Sequence, residues 1–165
     1  MTKERLLLLV RAWLVTAVTD GVFSSVLVSV FYGSTVTRLW QGVASTLLGQ
    51  SALSGGTGSA LVGLVMHFGV ALAWSAVFLV LYSRSTWIRN ETSSLAGALK
   101  VAAVYGPCIW MVMSVVVVQS LTHRVPTINF RWWVQFVGHI PFVAVPIVTS
   151  IARPVRARAL TLAAQ

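Results

Sequence analysis

Three residues could do chemistry inside an otherwise apolar chain: Asp20, His67 and His139. Asp20 is the only acidic residue placed within a hydrophobic segment. A charge at bilayer depth costs about 2.5–3.5 kcal/mol on insertion scales, so this carboxylate should face protein or water and have a partner. Together with two histidines it is coherent in two ways. It can form a proton-exchanging cluster in which carboxylate and imidazole tune each other's protonation. It can also form a 2-His-1-carboxylate set for a transition metal. Against both stands the structural alternative that the imidazoles only hydrogen-bond across helices. Gln135, one helical turn before His139, belongs to the same candidate polar site. So do Gln41 and Ser45, one turn apart, which either line a cavity or lie at the membrane surface. No His-Glu-x-x-His, nucleophile elbow or dinucleotide fingerprint occurs, and the Ser54–Ser59 glycine-rich stretch lacks the Gly-Lys-Ser/Thr ending of a phosphate loop. The expectation is a protein that is not an enzyme and carries no cofactor.

The elements that must position these residues follow from composition. Of 165 residues, 57% are hydrophobic and 9% charged, far from the roughly 25% charged of soluble domains. The reading is an all-α integral membrane four-helix bundle, a single membrane domain over residues 1–165, with spans at about 6–32, 60–82, 95–121 and 130–151. Thr16, Asp20 and Ser24 share one face of the first span at spacing four, and Gly21 beside them admits a close neighbour. Residues 37–50 are amphipathic and too short to cross, which predicts an additional interfacial or re-entrant helix anchored by Arg38 and Trp40. Small residues predict helix contacts at Ser59/Gly63, at Gly69/Ala73, and along Ser94, Ala98, Ala102 and Gly106. Pro107 should kink the third span and free the Ala103 carbonyl, while Pro141 and Pro146 break the ladder of the fourth. Trp132 and Trp133 read as an interfacial belt. Cys108, the single cysteine, reads as a buried thiol.

The net charge of +9 is read as topology signal and headgroup contact, not nucleic-acid binding. Lys3, Arg5, Arg11, Arg84, Arg89, Lys100, Arg153, Arg156 and Arg158 fall on one side, and Arg38, Arg124 and Arg131 on the other. Both termini are therefore expected in the cytoplasm. Arg11 interrupts the first apolar run too early for a signal peptide, so a retained first helix is expected. In that topology Asp20, His67 and His139 fall within roughly two helical turns of one depth.

The stretches Leu39–Gly49, Gly63-Leu-Val-Met-His-Phe68, Tyr105-Gly106 with Met113-Ser114, and Gly138-His-Ile-Pro-Phe142 ahead of Pro146 and Arg153 resemble a family of small bacterial inner-membrane proteins. More distantly, the final Gly-His span resembles the YagU-like proteins, which are associated with acid resistance. The resemblance implies a bacterial inner-membrane location and singles out Asp20, Gln41, Ser45, His67 and His139. Ser114 stands where that family suggests a more polar amide. Two functions remain open: a proton- or ion-linked membrane protein acting through the Asp/His layer, or a non-catalytic subunit of a membrane complex. The expected partners are the lipid bilayer and either further copies of the chain or a larger assembly.

Overall fold

The computed structural model describes residues 2–152, so Arg153, Arg156 and Arg158 lie outside the described residues. The chain runs through helices α1 (Lys3–Phe31), α2 (Val36–Leu48), α3 (Gly56–Arg84), α4 (Thr86–Glu91), α5 (Leu95–Thr122) and α6 (Phe130–Ala152). There is no strand among the described residues. Helices α1, α3, α5 and α6 are each long and apolar enough to cross a membrane.

Local sequence explains where the helices begin. A Ser, Thr or Asn precedes α1, α2, α4, α5 and α6, and each side-chain oxygen accepts a backbone N–H three residues on: Thr2 from Arg5, Thr35 from Arg38, Ser85 from Ile88, Ser94 from Gly97 and Asn129 from Trp132. Each contact satisfies one of the N–H groups that a helix start leaves unpaired. Only α3 begins differently. Gly56 to Ser59, the second part of the glycine-rich stretch, form the first turn of α3. It is tied down because the Gln41 amide donates to the Gly56 carbonyl at 3.1 Å and the Ser59 hydroxyl donates to the Ala52 carbonyl at 2.6 Å.

Small residues share the interior with a core of Phe78, Ile147, Val148 and Ile151, while many other large apolar side chains face outward. Ala12, Ala17, Ala44, Ala98, Ala102 and Ala144 are buried, with Thr16 and Ser75 among them, whereas Val18, Val65 and Val104 are exposed. In a lipid solvent no hydrophobic force gathers the valines inward, and small side chains let backbones approach. Gly63 shows the closest approach: a Cβ there would run into the Trp40 carbonyl of α2. Gly106 likewise lies against the His139 backbone, bringing α5 onto α6 along the Ala98, Ala102 and Gly106 stripe. Gly69 and Ala73 differ from expectation. They face outward, with nothing within 4 Å of the position of a Gly69 Cβ.

Two aromatic and thiol expectations are also corrected. Trp132 is buried beside Trp110 and stacked on Phe136, and only Trp133 stays exposed, because the pair straddles the edge of the α5–α6 contact. Cys108 is exposed, since it follows Pro107 on the outward side of α5. Proline has a further consequence in α6. Pro146 has no N–H for the carbonyl four residues earlier, at Phe142. That carbonyl lies 2.7 Å from the Thr19 hydroxyl of α1, whose single hydrogen is shared with the Val15 carbonyl of its own helix at 2.8 Å.

Candidate functional site

Asp20 sits in the middle of α1 on the face that meets α3. Its Oδ2 lies 3.8 Å from Nδ1 of His67, and both side chains are mostly withdrawn from the surface. The other ring nitrogen of His67, Nε2, lies 2.9 Å from the Ala17 carbonyl, one turn before Asp20. A carbonyl can only accept, so Nε2 carries the hydrogen, and a neutral ring then presents a bare Nδ1 to the carboxylate. At 3.8 Å no hydrogen bond joins them, and a proton on either group turns the facing lone pairs into an attraction. The pair therefore has two one-proton forms, a carboxylic acid beside a neutral imidazole or a carboxylate beside an imidazolium. It also has a form with that proton removed.

The walls come from α1, α2, α3 and α6. The Trp40 indole lies 5.0 Å, centroid to centroid, from the His67 ring, and Phe68 meets the same ring edge-on. The indole N–H of Trp13, about two turns before Asp20, donates to the carbonyl of Phe68, the residue after His67, at 2.8 Å and ties α1 to α3. Gly21 faces His67 and Trp40, where a Cβ would make ordinary contact, so the approach here is close without requiring glycine. On the other flank Phe23 stacks on Phe142 at 4.1 Å, and the Thr19 bond to the Phe142 carbonyl lies one residue from Asp20.

His139 is buried in α6, and its Nδ1 lies 2.7 Å from the Gln135 carbonyl. Its ring lies 4.9 Å from that of Trp110 of α5. It interacts electrostatically with Asp20, although only His67 comes within 4 Å of the carboxylate. The layer inferred from depth thus resolves into a contacting pair, Asp20 and His67, and a third member that acts through space. Among the described residues, no three His, Cys, Asp or Glu side chains are grouped so as to hold a metal ion. The 2-His-1-carboxylate arrangement of Asp20, His67 and His139 is therefore absent from this geometry.

The remaining candidates have other duties. Gln135 contributes its backbone carbonyl to His139. Gln41 is buried at the α2–α3 junction, where its amide holds Gly56, and Ser45 bonds back to the Gly42 carbonyl at 2.7 Å. Neither makes a hydrogen bond to Asp20 or His67. Trp110, which carries no signal of its own in the sequence, lies against the His139 ring. Asp20 Oδ1, Thr16 Oγ1, Trp110 Nε1, Ser114 Oγ and Trp132 Nε1 are all buried without a protein hydrogen-bond partner. Trp110 and Ser114 are one turn apart on α5, as are Thr16 and Asp20 on α1. The i, i+4 spacing in the sequence signals both pairs. No protein-family model, curated protein or solved structure matches the chain.

Proposed function

We propose that the chain is a multi-pass protein of the bacterial inner membrane, non-enzymatic, with both termini cytoplasmic, that is proton- or ion-linked through the Asp20–His67 pair with His139 beside it. The observation that carries this reading is the 3.8 Å approach of Oδ2 to a ring nitrogen whose partner nitrogen is already committed to Ala17. Intramembrane ionisable groups are expensive to keep and mark proton relays in pumps and transporters. The buried polar atoms of Thr16, Trp110, Ser114 and Trp132 favour the same reading, since buried donors and acceptors are ordinarily met by protein or by ordered water. In this proposal α2 lies as an interfacial or re-entrant helix that roofs the pair with Trp40, and the distant acid-resistance resemblance fits proton exchange.

A second reading, a non-catalytic assembly subunit, is favoured by the outward face of Gly69 and Ala73, which would admit a helix of another copy or of a larger membrane complex. Proton flux separates the two. In proteoliposomes loaded with a pH-sensitive dye, between about pH 5 and 7 where imidazole titrates, the native chain should carry flux, and Asp20→Asn and His139→Ala should lower it while remaining folded. Absence of flux in the folded native chain would sink the proton-linked reading and leave the assembly subunit.

A further inference from the structure

Away from the Asp20–His67 pair, α3, α4 and α5 border an apolar groove of about 400 Å³. Phe78, Trp87, Val104, Tyr105 and Cys108 line it, and Lys100 and Glu91 stand at one end. From Lys100 to Cys108 the groove follows about 12 Å of α5 at 1.5 Å per residue. The Tyr105 hydroxyl donates to the Trp74 carbonyl at 2.8 Å, so the one phenol in the wall has its bond elsewhere. The wall gives a polar ligand little to bind and suits a hydrocarbon chain.

The end near Lys100 has the opposite character. Lys100 is 77% exposed and its Nζ lies 3.8 Å from Glu91 Oε1. The stretch from Arg84 through Arg89 to Lys100 carries three cations and one carboxylate, Glu91. The exposed Trp87 beside them is the residue type that settles at headgroup level. This end is also built rather than loose. Arg89 donates to the Tyr82 and Ser83 carbonyls, Ser85 and Ser94 cap the two helix starts, and a Cβ on Gly97 would collide with the Glu91 carbonyl. A groove fixed before its ligand arrives spends less of the binding energy on ordering.

We infer that this groove binds one anionic phospholipid, with an acyl chain along Val104 and Cys108 and its phosphate at Lys100. The inference rests on the chain residing in a bilayer and not on proton exchange. The charge excess selects a lipid of net negative headgroup, since each basic residue near such a surface adds about 1 kcal/mol, or about fivefold.

Native mass spectrometry of the detergent-purified full chain tests it, with phosphatidylglycerol and phosphatidylcholine of identical acyl chains as probes. The native chain should retain one phosphatidylglycerol in preference to phosphatidylcholine. Lys100→Gln should lower phosphatidylglycerol retention by about fivefold, and Val104→Trp, which fills the groove, should lower retention of both lipids. Both positions are exposed, so neither substitution disturbs the helix packing. Equal retention of the two lipids by the native chain, or unchanged phosphatidylglycerol retention in either variant, would overturn the inference. Asp20→Asn should leave lipid retention intact, so this proposal and the proton-linked one fail separately.

Discussion

At the scale of single residues, the decisive feature is the division of labour between the two nitrogens of His67. Nε2 holds the ring to Ala17, which leaves Nδ1 as the nitrogen that meets Asp20. A glutamine can reproduce the first contact through its amide N–H but cannot take up a proton. His67→Gln should therefore keep the thermal unfolding midpoint close to native in detergent while reducing proton flux as far as Asp20→Asn does. Retained flux in the folded variant would assign the proton to another group. That Asp20 needed a partner was legible from its place in an apolar segment, and His67 was legible from its depth. The greater distance of His139 was not, because depth fixes position along a helix axis and says nothing of rotation about it. Gln41 was misleading for a related reason: its use depends on the Gly56 carbonyl, which is near only once α2 has folded back on α3.

At the scale of elements, glycines decide which helices meet. The rank of two of them can be tested. Gly63 faces the Trp40 carbonyl, a backbone group that cannot turn aside, whereas Gly138 faces the far edge of the Phe23 ring, a side chain that can rotate. Gly63→Ala should cost about 1–3 kcal/mol, the range for overpacking a close contact, and Gly138→Ala should cost less. Denaturation of the two variants side by side checks the order, and an equal loss would mean that the α2–α3 approach yields as readily as a ring does. The four long helices were readable from length and hydropathy. Their neighbours were readable only where small residues recur every fourth position, as from Ala98 to Gly106. Long helices that are apolar nearly all round carry no stripe to say which side faces protein, which is why Gly69 and Cys108 were assigned inward yet face outward.

At the scale of the whole molecule, charge asymmetry gives a testable orientation. In a Cys108→Ala background, a cysteine at the exposed Thr127 should react with a membrane-impermeant maleimide in intact cells, and one at the exposed Asn90 only after permeabilisation. The reverse pattern would invert the proposed topology. The Thr19 bond to Phe142 also bears on how the molecule is made. In α6 taken alone the Phe142 carbonyl would have neither an N–H at Pro146 nor the Thr19 contact, and hydrocarbon offers no donor in their place. The hydroxyl that lies against it belongs to α1, which is synthesised before α6. Synthesis in that order sets the Thr19 side of the contact in place before the Phe142 side arrives, and docking on α1 adds a polar contact to the proline-interrupted stretch of α6.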